Sequence, residues 1–263
     1  MSQEIFRGIA TALITPFNEK GVDYESYGRL IDWQIESGID AIVACGTSGE
    51  SPTLSDEEHR EVIRFAVERA AGRVPVIAGT GSNCTESAAK RTEYASSAGA
   101  DAALVVTPYY NKATQEGLVA HFTAIADRSS IPLIVYNVPS RTGCGVAPRT
   151  YEKLARHPRI RAIKEANGDI SQIVETAALV GDKMDLYSGN DDQIVPILSV
   201  GGKGCISVMS NVLPRETVEI CRRFFAGDVA GAAALQFQYL ELIHALFCEV
   251  NPIPVKTALA AMG

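Results

Sequence analysis

The sequence predicts an α/β fold of the (β/α)8 barrel class on three observations: its length of 263 residues, eight short apolar runs, and helical periodicity between most of them. A closed eight-stranded barrel with its helices takes about 250 residues, so a single barrel accommodates nearly the whole chain. The apolar runs are 9–16, 41–46, 74–79, 102–107, 133–138, 160–164, 185–188 and 204–209. Most are continuous rather than alternating, the pattern of strands buried on both faces of a parallel sheet. Eight repeats favour closure over an open doubly wound sheet, which periodicity alone also allows.

The first helix is predicted over 24–37, ended by Gly38, with Trp33 and the helix's aromatic positions in the core. The clearest is the second, 56–71. Ser55 and Glu58 carry a capping-box signature, Val62, Phe65, Ala66 and Arg69 follow three-to-four spacing, and Gly72 stops the helix. Further helices are expected at 86–98, 115–128, 171–180 and 191–200, with Gly99, Gly181 and Gly201 as left-handed caps after three of them. Strand and helix in alternation predict parallel βαβ units. After the eighth strand only helices follow, around 215–226, 230–246 and 254–261. The division expected is a catalytic barrel over 1–225 and a C-terminal helical segment over 226–263, packed directly on the barrel because no Ser/Gly/Pro linker separates them.

Composition narrows the function classes. The chain is 46% hydrophobic and 21% charged, ordinary for a folded soluble domain. No apolar run reaches membrane-spanning length, and residues 1–7 lack the basic and apolar parts of a signal peptide, so a cytoplasmic location is expected. The six cysteines, Cys45, Cys84, Cys144, Cys205, Cys221 and Cys248, form no CxxC pair and read as reduced and mostly buried. A net charge of −7 without a basic cluster argues against nucleic acid. His59, His121, His157 and His244 make no ligand pair, so no metal site is assigned.

The suspect polar residues sit at the carboxyl ends of the predicted strands: Thr47, Ser48 and Glu50 after the second, Asn83 after the third, Tyr109 and Tyr110 after the fourth, Tyr136 and Asn137 after the fifth, Lys164 and Glu165 at the sixth, Ser188, Gly189 and Asn190 at the seventh. In a barrel these ends converge on one rim, where catalytic groups gather.

Lys164 is the most informative. A lysine turned into a barrel interior loses hydration, which penalises the charged form, and a neutral amine attacks a ketone to give an imine that draws electrons from the adjoining carbon. By position alone the ordinary reading is a strand-end lysine paired with Glu165 at the surface. The run GTSGES (46–51) offers amide and hydroxyl donors to an anion such as a carboxylate, and matches neither GxxxxGK[ST] nor GxGxxG. Tyr136 can shuttle a proton with Thr47 and Tyr110 as relay partners, and Arg141 offers a planar fork for a carboxylate. Each taken singly has an ordinary alternative: a packing tyrosine, a solvated arginine.

Together the motifs carry more. GTSGES, AGTGSN (78–83), VTPYYN (106–111), YNVPSRTG (136–143), IKEA (163–166), SGND (188–191) and NPIPVK (251–256) occur in order along essentially the whole chain. In this the sequence resembles the dihydrodipicolinate synthase family within the pyruvate-dependent Schiff-base aldolases. The resemblance implies a lyase of lysine and diaminopimelate biosynthesis that condenses pyruvate with L-aspartate 4-semialdehyde to 4-hydroxy-tetrahydrodipicolinate. It implies Lys164 as the imine-forming lysine, Tyr136 as proton donor and acceptor, and Thr47 and Tyr110 as the rest of the relay, Tyr110 reaching into a neighbouring subunit. Ser48 stands where the family usually has a second threonine and would bind the pyruvate carboxylate. Ile206 and Gly189 would line the substrate site, and Arg141 would receive the carboxylate of the semialdehyde.

It further implies no metal or organic cofactor, and a homotetramer built as a dimer of dimers, or a dimer. N-acetylneuraminate lyase and 2-keto-3-deoxygluconate aldolase share the lysine and tyrosine and form the alternative reading, which Arg141 with Thr142 and Gly143 disfavours. A catalytically silent 2-oxo acid sensor is a third, opposed by the complete set of Lys164, Tyr136, Thr47 and Tyr110. Lysine-inhibited relatives use positions matching Ser51, Asp56, His59, Asn83, Ser87 and Tyr109. Asp56 here replaces a histidine, and the glutamate expected at Ser87 is one position earlier, at Glu86, which weakens any expectation of lysine feedback. The chain ends at Gly263, earlier than the resemblance implies, and reduced stability or altered assembly is expected from that.

Overall fold

In the computed structural model, which describes residues 4–263, eight parallel strands close into a barrel. The first three residues, part of the stretch read for a leader, lie outside the described residues. The strands are β1 (Gly8–Ala12), β2 (Ala41–Ala44), β3 (Val76–Gly79), β4 (Ala102–Val106), β5 (Leu133–Asn137), β6 (Ile160–Glu165), β7 (Asp185–Ser188) and β8 (Gly204–Ser207). Each pairs with its neighbours in sequence, and β1 pairs with β8 to complete the ring. Closure depends on two glycines placed opposite each other, Gly8 and Gly204. A methyl group at Gly204 would stand 1.7 Å from the Gly8 carbonyl oxygen, so no other residue lets these strands meet.

The barrel interior mixes small and large side chains, with Ala10, Ala41 and Ala162 beside Leu104, Ile134 and Tyr187. Such alternation fills a small barrel without a pore. Between strands and helices lies a second apolar layer that includes Ile9, Ile42, Ile63, Val105, Phe122 and Ile163, all at most 1% exposed. Each such side chain removed from water contributes about 1.5–3 kcal/mol.

Eight helices surround the ring: α1 (Tyr24–Glu36), α2 (Asp56–Ala70), α3 (Thr85–Ser97), α4 (Gln115–Asp127), α5 (Pro148–Leu154), α6 (Ile170–Val180), α7 (Ile194–Ser199) and α8 (Pro214–Phe225). Helix α2 begins with the expected reciprocal cap between Ser55 and Glu58. It ends one residue early, because Ala71 takes the left-handed conformation before Gly72 does. Gly38, Gly99 and Gly201 are left-handed as expected. Gly181 is not: it is right-handed, and its missing side chain instead lets the chain pass the Ala177 carbonyl, 2.6 Å from where a methyl would lie.

Several elements depart from the sequence expectation. Between β5 and β6, where periodicity assigned no helix, a turn at Pro139–Thr142 and α5 both form, each started by a proline at its first position. The helix expected over 191–200 opens as a 3-10 turn at Asp191–Gln193, since the Asp191 carboxylate turns inward to accept from the Val208 and Met209 amides. The helix expected over 230–246 breaks at Tyr239 into α9 (Val229–Gln238) and α10 (Leu240–Ala245). The last helix, α11, is Ile253–Met262. Trp33 is only half-buried, and three cysteines rather than most are buried: Cys45, Cys205 and Cys221. No helix among the described residues is long and apolar enough to cross a membrane.

Candidate active site

Strand pleating decides what each rim residue faces. Successive side chains alternate between the two faces of a strand, and Tyr136 on β5 pairs in register with Lys164 on β6. Both point inward, and both are nearly buried, at 6% and 5% exposed. Lys164 Nζ stands 4.2 Å from the centre of the Tyr136 ring. Their neighbours Asn137 and Glu165 point outward. The surface pairing of Lys164 with Glu165 therefore does not form: Glu165 is fully buried behind the strand and accepts from Asn137 and Tyr151.

Above Lys164 opens a cavity of about 560 Å³ lined by Thr47, Ser48, Tyr136, Arg141, Gly189 and Lys164, among others. With Asn190, seven of the residues singled out from sequence thus meet in one space. Ser48, 1% exposed, is held by Asn251 Nδ2, which donates to its hydroxyl at 3.0 Å. Glu50, left-handed at φ 57°, accepts from Lys256 Nζ at 2.6 Å, and the same ammonium donates to the Thr15 carbonyl at 3.0 Å. The GTSGES turn is thereby bound to the C-terminal NPIPVK run.

Gly189 follows β7 and packs against the stem of Lys164. A methyl there would lie 3.1 Å from Lys164 Cε and 2.7 Å from the Ala166 methyl. Ile206 is fully buried within the barrel's inner cluster, which also holds Tyr136, and it does not line this cavity. After β8 the residue that faces the cavity is Val208.

Tyr110 stands apart from this group. It is 88% exposed with φ 71°, and its amide donates to the Thr142 carbonyl, so the phenol projects away from its own chain's cavity. A second hollow of about 450 Å³ opens beside the first and shares Thr47 and Tyr136 with it. Ser51, Tyr109 and Arg91 line this hollow. His59 does not reach it: the ring is 1% exposed, bonds the Gly79 carbonyl through Nε2, and is driven by burial down to a pKa of about 4. Asn83 is half-buried and bonded to Asn111, and Asp56 pairs with Arg91.

Sequence reasoning missed Phe247 and Asn251, which both line the cavity above Lys164. Asn251 opens the NPIPVK run, so its motif was visible, but nothing in its spacing tied it to a turn about two hundred residues earlier. Among the described residues no cluster of His, Cys, Asp or Glu could hold a metal ion.

The chain matches the family model described as the dihydrodipicolinate synthetase family over residues 5–263. It is 57% identical over 260 residues to the 4-hydroxy-tetrahydrodipicolinate synthase of Caldicellulosiruptor saccharolyticus, covering 98% of this chain and 88% of that one. The crystal structure of dihydrodipicolinate synthase from Aquifex aeolicus superposes with a TM-score of 0.94 at 49% identity, covering 96% of this chain and 87% of the other. A structure described as the first monomeric dihydrodipicolinate synthase variant superposes at 0.97 with 44% identity, over 98% of this chain and 88% of that one. With its closed barrel, its buried lysine at the rim and a match running nearly from end to end, the chain belongs to the dihydrodipicolinate synthetase family.

Proposed function

We propose that this chain condenses pyruvate with L-aspartate 4-semialdehyde to 4-hydroxy-tetrahydrodipicolinate through an imine on Lys164. One observation carries the reading: a lysine 5% exposed, beside a tyrosine ring, at the floor of a cavity bordered by hydroxyl and guanidinium groups. The Lys164 amine adds to the ketone carbon of pyruvate and water leaves. The iminium draws electrons from the methyl carbon, which loses a proton to become an enamine. Tyr136, with Thr47 beside it, is the group placed to take and return that proton. The enamine carbon attacks the aldehyde, whose oxygen is protonated. The amine of the semialdehyde then displaces Lys164 and closes the ring.

Ser48 is placed for the pyruvate carboxylate and Arg141, at the cavity mouth, for that of the semialdehyde. The electron sink is the imine itself, so the chemistry draws on no metal or organic cofactor. The catalytic barrel is assigned to 1–225, of which the described residues begin at 4, and the segment 226–263 supplies Phe247 and Asn251 to the cavity wall. Tyr110, projecting from its own chain, completes the relay in a neighbouring copy, in a dimer or a dimer of dimers. Ser51 and Tyr109 in the adjoining hollow are the candidate regulatory contacts, without His59.

The test is a substrate panel on the purified protein. Pyruvate consumption with aspartate 4-semialdehyde, and no cleavage of N-acetylneuraminate or 2-keto-3-deoxygluconate, is expected. Cleavage of either sugar acid at a higher kcat/KM would favour the aldolase alternative.

A further inference from the structure

Behind the catalytic pair lies a charged group that the chemistry does not use. Glu165 and Asn137 are neighbours of Lys164 and Tyr136 on β6 and β5, pair in register, and are both 0% exposed on the outer face of the barrel. A carboxylate in such a layer is costly unless its lone pairs are met. They are met: Asn137 Nδ2 donates to both oxygens at 3.0 and 3.1 Å, the Tyr151 hydroxyl to Oε2 at 3.0 Å, and the Asn167 amide to Oε1 at 3.0 Å. Burial still pushes the carboxyl up to about 7, and the groups that pull it back are these donors.

The same asparagine reaches the other way. Asn137 Oδ1 accepts from the Val146 amide at 3.1 Å, so the segment that leaves β5 at Asn137 returns to that residue's own side chain. Arg141 sits midway along this segment, exposed and lining the catalytic cavity. Gln115 ties the far end as well, donating to the Gly145 carbonyl at 2.8 Å and accepting from the Ala147 amide at 3.0 Å.

We propose that Glu165 is a positioning residue for the aldehyde half of the reaction: through Asn137 and Val146 it sets the loop that presents Arg141, from the back of the strand that carries Lys164. This deepens the reading of the site given above and rests on it for its kinetic consequence. When ionised, Glu165 orients Asn137 by accepting only. With its amide nitrogen locked on Glu165, Asn137 can offer only oxygen to Val146. An apolar pair at these positions would avoid the desolvation penalty but would leave the Val146 amide without its acceptor.

Glu165→Gln tests this, because a glutamine sets an NH2 group against one of the present donors. The KM for aspartate semialdehyde is expected to rise about tenfold, while borohydride trapping of the pyruvate imine stays within about twofold. Amide hydrogen exchange in a peptide spanning 138–147 is expected to quicken. The double variant Asn137→Asp with Glu165→Gln interchanges donor and acceptor and is expected to restore both readouts, which a merely bulk structural role would not do. Should Glu165→Gln fail to fold, Tyr151→Phe, which removes a donor to Oε2 and so loosens the carboxylate that orients Asn137, decides by shifting the same two readouts in the same direction. An equal rise in both KM values, or an aldehyde KM unchanged while loop exchange quickens, or no rescue, overturns the proposal. Wild-type protein inactive toward the semialdehyde would overturn the functional reading instead, and the exchange measurement would still decide whether Glu165 holds the loop.

Discussion

Lys164 Nζ lies 4.2 Å from the centre of the Tyr136 ring, across two strands that pair directly through those residues. The face of an aromatic ring attracts a cation, and it also walls the nitrogen from water. The amine is therefore held by packing from Tyr136 on one side and Gly189 on another, and among the described residues it forms no ion pair with a carboxylate.

Gly189 packs directly against the lysine stem. Gly189→Ala places a methyl 3.1 Å from Lys164 Cε and 2.7 Å from the Ala166 methyl, so the lysine stem must move. Imine formation with pyruvate should slow by about 10- to 100-fold, because small displacements of a reacting group are that costly. Rapid-quench borohydride trapping checks it, alongside a melting curve showing that the fold survives. Unchanged trapping would mean that the stem has room the geometry denies it.

Tyr136→Phe keeps the ring beside Lys164 and removes only the hydroxyl. If that hydroxyl moves protons, kcat should fall about 10²- to 10⁴-fold. Steady-state kinetics with both substrates checks it. A loss under threefold would transfer the proton step to another group.

Two buried histidines should make the protein sensitive to acid. Burial drives His59 and His121 down to a pKa of about 4 from 6.5, so both are neutral in the fold. As pH falls below 6.5 the unfolded chain takes up protons first, and stability drains away between 6.5 and 4. Glu165, raised from 4.5 to about 7, acts oppositely across much of that window, since the folded state keeps its proton longer. Isolating one histidine separates the effects: His121→Gln should lose about 2 kcal/mol less stability than the parent between pH 7 and pH 5. Urea unfolding at the two pH values checks it, and parallel losses in both proteins would refute it.

How far the sequence could be read follows from which interactions are local. The capping box of α2 and the apolar runs of the strands depend on residues a few positions apart, and both formed as expected. Lys164, Tyr136, Thr47 and Arg141 were legible because a barrel brings the ends of its strands together whatever lies between them. Asn251 and Phe247 were not, since their approach to Ser48 and the cavity depends on how the tail docks. Tyr110 shows the same limit from the other side: its outward direction was expected from the resemblance alone, because the left-handed backbone that sets it is not announced by the residue type. The role of Glu165 was hidden by alternation. A motif places it beside the lysine, yet the pleat turns it to the opposite face.

Covalent capture bears most directly on the chemistry. The protein is incubated with pyruvate, reduced with borohydride, digested, and its peptides mapped by mass. The imine mechanism predicts one stable pyruvate-derived adduct, on the peptide containing Lys164, absent when Lys164→Ala is treated in the same way. An unmodified Lys164 peptide, or the same adduct in Lys164→Ala, would contradict it.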